Sequence, residues 1–239
     1  MGKTAGKKRN QHTAEIKDFS GRKGTKGAVL RETAEKPLVH VLLIVILGLI
    51  VYSNTFHVPF VFDDAPNIVN NPVIKDLKYF IDPAEAKALL FYGPLKIRYA
   101  VYLSFALNYK INGLDVTGYH IVNLAIHIIN ALLVYLIVIL TFRTPAVKPL
   151  TGQNKDISWL TALFSALLFV AHPIETQAVT YIVQRLASLT AMFYLLSVMS
   201  YIKSRISTER FTRYTFYAIS IISAVLAMKT KETALHCLS

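Results

Sequence analysis

Charge-free apolar runs alternate with charged, turn-rich stretches along this chain. Leu38 to Phe56 carries no charged residue, and His40 and the pair Ser53–Asn54 are its marked polar positions. Its nineteen residues, at ~1.5 Å each, reach the ~30 Å of a hydrocarbon core. A long basic stretch precedes it and no small-x-small site follows, which predicts an uncleaved signal anchor. Four more runs follow, at 119–142, 157–174, 176–202 and 214–228; Arg185 interrupts the third, and the last, of fifteen residues, is the shortest. Tyr99–Tyr109, at eleven residues, is too short to span and predicts an interfacial helix. The expected fold is all-α: a multi-pass transmembrane helical bundle of about five spans. Its large first extracytoplasmic loop, 57–118, bears short interfacial helices.

Composition fits that pattern. The 239 residues include 26 Lys+Arg against 14 Asp+Glu, yet 54% are hydrophobic. The apolar fraction argues against disorder and the single cysteine, Cys237, against a disulfide scaffold. Nucleic-acid binding would account for the charge but not for the apolar content. Residues 1–36 hold ten of the basic residues without an apolar period, which predicts a disordered, topogenic tail.

The positive-inside rule then sets the sides. With the tail in the cytoplasm, Arg143, Lys148 and Lys155, and later Lys203, Arg205, Arg210 and Arg213, also lie inside. Were Tyr99–Tyr109 a span, those seven would move outside. The expected domains are a cytoplasmic tail, 1–36, a membrane domain, 37–235, and an atypical tail, 236–239.

This topology gathers the unusual polar residues on the outer face. Asp63 and Asp64 follow the first span, and His172, Pro173 and Glu175 form a short outer turn. Arg185 lies roughly 13 Å below the outer start of its run. Lys229, Lys231 and Glu232 sit at the outer end of the last one. Carboxylates with cations suit work on a phosphorylated lipid, as base or metal ligand and as phosphate partners. Each piece also has a plain reading. An acidic pair can open a solvated loop, a membrane arginine can snorkel to the headgroups, and His-Pro can merely end a helix.

His120, Asn123, His127 and Asn130 recur at spacings of three, four and three, one polar stripe that should face the bundle interior. His120 is near enough to the outer end to reach a site there. His127 and Asn130 read as interhelical hydrogen-bonding residues worth roughly 0.6 kcal/mol each. In the loop, Asp82-Pro83 opens a short capped helix, and Arg98 opens the interfacial segment, where a lipid phosphate could be met. No P-loop, GxGxxG, CxxC or HExxH occurs, and no internal repeat period.

The ordered set of motifs resembles a known family. Phe60-Val61-Phe62-Asp63-Asp64 and Asn70-Asn71-Pro72 come first, then Arg98, then Gly118-Tyr119-His120-x-x-Asn123-x-x-x-His127. Ala166-Leu167-Leu168-Phe169-x-x-His172-Pro173-Ile174-Glu175 follows, then Val183-Gln184-Arg185 and Lys231-Glu232-Thr233. Together they are similar to the N-terminal membrane part of the tetratricopeptide-repeat-containing transmembrane O-mannosyltransferase-like proteins. These are GT-C glycosyltransferases that use polyprenyl-phosphate sugars. The resemblance runs from about Val58 to Ala234.

It implies inverting transfer of a sugar, mannose being one candidate, from a polyprenyl-phosphate donor to a protein or glycan hydroxyl on the extracytoplasmic face. Asp63 or Asp64 would be base or metal-associated carboxylate, with a divalent cation an option and no cofactor certain. Arg98, Arg185 and Lys231 would meet the donor phosphate, and His120, His172, Glu175 and Glu232 would help form the substrate site. The expected surroundings are a lipid bilayer, either the bacterial inner membrane or the endoplasmic reticulum, with no nucleic-acid partner. The chain departs from the family by carrying Arg98-Tyr99 for Arg-Pro, by the ending His236-Cys237-Leu238-Ser239, and by lacking further spans and repeats. These departures predict a fragment or truncated product. The alternative function is a non-catalytic membrane assembly or scaffold protein.

Overall fold

A computed structural model describes residues 37–147 and 155–230. Helices are the regular structure among these residues, and no strand occurs among them. The chain divides into two compact units at Leu43/Ile44. The described part of the first is Pro37–Leu43, the opening turns of α1 (Pro37–Val51).

α1 stops at Val51, short of the nineteen-residue run read from the sequence. The cause is local. The hydroxyls of Ser53 and Thr55 donate to the carbonyls of Ile50 and Tyr52, each at 2.9 Å, closing the helix end in turns.

The long connection from there to residue 115 is folded on itself. It contains a π-helical turn at Ala65–Val69, 3-10 turns at Val73–Lys75 and Pro83–Ala86, and the helices α2 (Lys78–Ile81), α3 (Tyr92–Ile97) and α4 (Tyr99–Asn112). The expected helix after Asp82 is the single 3-10 turn Pro83–Ala86, capped as read from sequence by Asp82, whose side chain accepts from the Ala84 N–H. Gly113 ends α4 at φ 59, a left-handed position that favours glycine. Ile68, Ile74, Leu95, Val101 and Phe105 of this region share one apolar core with Tyr119, Ile126, Ile182 and Leu189 from later in the chain.

α5 (Val116–Phe142) opens on Asp115, which caps the Thr117 N–H. Gly118 lies so close to Asn112 that a Cβ there would meet the Asn112 side chain at 2.5 Å. α6 (Lys155–Ala171) packs on α5 through Ala162 and Ala166 against Ala131 and Tyr135. A 3-10 turn, Pro173–Glu175, a short α7 (Thr176–Thr180) and another 3-10 turn, Ile182–Gln184, lead into α8 (Arg185–Ile206). α9 (Arg210–Met228) runs back along α8. Small side chains let those two backbones approach: the Ser197 hydroxyl donates to the Ser220 carbonyl at 2.9 Å, and Ser200 and Ser223 are buried.

Val116–Phe142, Ile182–Ile206 and Arg210–Met228 are each long and apolar enough to cross a membrane. The bent pair 157–171 and 173–180, at 48°, would make a fourth span, and the fifteen residues of α1 are shorter than the rest. The protein is an all-α helical membrane protein.

Candidate functional site

The acidic pair sits on a strained turn. Phe62, just before it, holds φ 43 in the left-handed region, an arrangement that costs a non-glycine residue on the order of 1–3 kcal/mol. Backbone bonds from Asp64 N to Val61 O and Ala65 N to Phe62 O close the turn around it.

The two aspartates then part company. Asp64 is buried, and its oxygens accept the N–H of Val61 at 3.0 Å and of Val183 at 2.7 Å. The second bond joins the loop to the break before α8. Burial pushes the Asp64 carboxyl above the usual carboxylate range; the two amides and His120 oppose the shift, and Asp63 adds to it. Asp63 is exposed. Its N–H donates to the Tyr181 hydroxyl at 3.0 Å, and its carbonyl accepts from the Asn67 amide at 2.8 Å.

Asn67 extends this chain of contacts toward Arg98. The Tyr102 hydroxyl donates to Asn67 Oδ1 at 3.0 Å. Burial raises the Tyr102 hydroxyl pKa, and the neighbouring Arg98 guanidinium lowers it. Arg98, half-buried at the start of α4, thus stands beside the loop that carries Asp63 and Asp64.

His120 faces the same loop. Its Nε2 lies 2.9 Å from the Val58 carbonyl, which accepts a hydrogen bond only from a protonated Nε2. Nδ1 is buried without a hydrogen-bond partner.

Arg185 behaves differently from the other cations. It is fully buried, and Nε donates to Asn123 Oδ1 at 2.7 Å. Nη2 donates to Asn108 Oδ1 at 2.9 Å and to the Tyr119 carbonyl at 3.0 Å, and Nη1 points at the Ser104 carbonyl at 3.4 Å. The guanidinium lies 4.5 Å from the Phe105 ring centroid. The oxygens around it are neutral, so Arg185 ties α4 and α5 to α8 rather than presenting a free fork.

The polar stripe of α5 serves the same break. Asn123 Nδ2 donates to the carbonyl of Ile182 at 3.3 Å, His127 Nε2 meets that of Val170 at 3.2 Å, and Asn130 Nδ2 donates to that of Ser188 at 3.0 Å. Each side chain thus binds a backbone carbonyl of the segment running from α6 through the break into α8.

The remaining candidates are not drawn into the Asp63–Asp64 group. His172 is exposed, and its Nδ1 accepts the Ile174 N–H at 3.3 Å, capping the 3-10 turn. Glu175 is within electrostatic reach of Tyr52 and His127, along α5 from His120. Lys231 and Glu232 lie outside the described residues.

A divalent cation is poorly provided for. Among the described residues no three His, Cys, Asp or Glu side chains come together as a metal-holding group. Both Asp64 oxygens already accept backbone amides, which leaves Asp63 as the exposed carboxylate of the pair.

Tyr181, Asn67 and Tyr102 were not singled out from the sequence. Asn67, four residues after Asp63, had the one usable signal: an amide one helical turn from an acidic pair.

Comparison with known proteins bears out the resemblance. A protein O-mannosyl-transferase of Caenorhabditis elegans is 31% identical over 173 residues, 70% of this chain and 23% of that protein. Human protein O-mannosyl-transferase TMTC4 is 29% identical over 205 residues, 80% of this chain and 27% of that protein. Protein O-mannosyl-transferase tmtc2 of Xenopus laevis is 33% identical over 162 residues, 66% of this chain and 18% of that protein. The matched part is therefore about a fifth to a quarter of these relatives' length. No family model and no solved structure matches.

Proposed function

With a sequence similar to the protein O-mannosyl-transferases as the premise, we propose that this chain carries part of the sugar-transfer site of such an enzyme. The donor is a polyprenyl-phosphate sugar, mannose being the leading candidate, and the acceptor is a protein or glycan hydroxyl. The site faces the extracytoplasmic side, with the basic N-terminal tail in the cytoplasm. The relatives named above are animal proteins, which favours the endoplasmic reticulum over a bacterial inner membrane.

The observation that carries this reading is the division of labour within the acidic pair. Asp64 is buried and locks the loop to Val183, leaving Asp63 exposed beside it. In the proposed step the acceptor oxygen attacks the anomeric carbon while the bond from that carbon to the phosphate oxygen breaks. The electron pair leaves on the phosphate, and the acceptor proton passes to the Asp63 carboxylate. Arg98 stabilises the charge gathering on the departing phosphate. Asp64, His120 and Arg185 are positioning residues that fix the loop and the helix break.

The test is mannose transfer to protein in membranes carrying this chain, with polyprenyl-phosphate mannose as donor. Asp63→Asn should lower incorporation by ~10²–10⁴, the range a positioned general base contributes. Incorporation that survives Asp63→Asn and Asp64→Asn together would sink the reading. Absence of transfer from the unaltered chain, with partners still captured by both aspartate variants, would favour a membrane scaffold instead.

A further inference from the structure

We propose a second site at the other end of α8, which binds the phosphate of a phosphorylated lipid headgroup. It is independent of the sugar-transfer reading. The 22 residues of α8 place it ~33 Å along the helix from Arg185. α8 and α9 belong to the segments long and apolar enough to cross a membrane, so the turn joining them lies at a membrane–water boundary.

A hollow of about 490 Å³ opens there, lined by Tyr201, Ser204, Arg205, Arg213, Tyr214 and Tyr217. That volume suits a headgroup, since ligand pockets run from about 300 to 1,000 Å³. A second hollow of about 420 Å³ flanks the same turn and adds Arg143 and Lys203. Glu209, the acidic residue lining it, accepts from the Thr212 hydroxyl. No described acidic side chain forms an ion pair with Lys203, Arg205 or Arg213.

The geometry supplies donors as well as charge. Arg213 is oriented by the backbone of the turn: Nε and Nη2 donate to the Ser207 carbonyl at 3.3 and 3.0 Å. Its Nη1 edge is left for an anion, and Arg205 stands exposed on the same hollow. Two guanidinium groups on one cavity match the oxygens of a phosphate monoester. Tyr201, Tyr214 and Tyr217 are half-exposed or more, their rings suited to the interface and their hydroxyls to the headgroup. Exposed cations that only orient a span need no hollow; here two of them share one with three tyrosines.

The experiment uses the full chain in detergent, titrated calorimetrically with dioctanoyl phosphatidic acid, dioctanoyl phosphatidylcholine and inorganic phosphate. Phosphatidic acid should bind at least ~10-fold more tightly than either of the others, because charge-assisted guanidinium bonds add to acyl-chain contact. Arg205→Gln together with Arg213→Gln should remove that preference. Arg205→Gln alone, which leaves the Arg213–Ser207 bonds intact, should weaken it several-fold. Arg210→Gln deletes the same charge outside the hollow and should leave it unchanged. Equal binding of inorganic phosphate would assign the hollow to a free anion and overturn the proposal. So would an equal loss in Arg210→Gln, which would mean bulk charge, or the absence of any preference in the unaltered chain.

Discussion

The two ends of α8 each carry arginine, and they treat it in opposite ways. At the start, Arg185 is fully buried among Asn123, Asn108, Ser104 and the Tyr119 carbonyl. At the finish, Arg205 and Arg213 are exposed around a hollow, with Arg213 held only by the Ser207 carbonyl. Burial decides which role a cation takes. Withdrawn from water, a guanidinium needs every oxygen it can find and becomes structural. At the boundary it keeps its water and its freedom to meet an anion.

The largest test of that contrast is Arg185→Met. It leaves Asn123 Oδ1 and Asn108 Oδ1 facing apolar atoms, and each buried acceptor left unpaired costs ~1–3 kcal/mol. Arg205→Gln should change stability by no more than ~0.5 kcal/mol, as exposed substitutions do. Thermal unfolding of both variants in detergent checks the pair. Similar losses in the two would break the comparison.

The acidic pair repeats the contrast on a smaller scale. Asp64→Asn keeps one oxygen for either Val61 or Val183 but turns an amide NH₂ toward the other N–H, an expected loss of ~1–3 kcal/mol. Asp63→Asn, exposed, should be close to neutral in stability while removing transfer. Asp64 also gives a pH signature. Its folded pKa is raised above the ordinary 3.8, mainly by burial, so it favours the folded state at low pH. That contribution is complete below the unfolded value and is lost as pH rises through the folded one. Unfolding free energies of the unaltered chain, compared with those of Asp64→Asn, should therefore fall progressively from about pH 4 upward. A difference flat across that window would mean that burial does not govern Asp64.

These residues also mark how far the sequence could be read. The stripe of His120, Asn123, His127 and Asn130 was legible because a helix converts spacings of three and four into one face. Buried, each binds a carbonyl outside α5, as an interior stripe should. The different fates of Asp63 and Asp64 were not legible, because a turn built around one positive φ has no period to read. The break before α8 was half legible. His172-Pro173 announced the end of α6, but Tyr181 to Gln184 contains neither Gly nor Pro, and 176–202 read as one run. A long-range contact interrupts it: Asp64 takes the Val183 N–H, and Asn123 takes the Ile182 carbonyl. Arg185 was visible as a cation in an apolar run, yet its partners lie 62 to 81 residues away in sequence.

Asn130 gives the smallest effect and the finest test. Its Nδ2 donates to the Ser188 carbonyl, three residues past Arg185, while its Oδ1 is buried without a partner. Removing the side chain therefore loses one hydrogen bond and also removes one unsatisfied oxygen. Ser188 O sits within α8, where the helix itself supplies a donor for that carbonyl. The two effects oppose each other, so Asn130→Leu should cost no more than ~0.6 kcal/mol, the mean for such bonds between membrane helices. Chemical unfolding in mixed micelles would resolve it against Arg185→Met. A loss above ~2 kcal/mol would mean that the α5–α8 seam depends on its individual amides as much as on the buried guanidinium, and the special standing of Arg185 would fall.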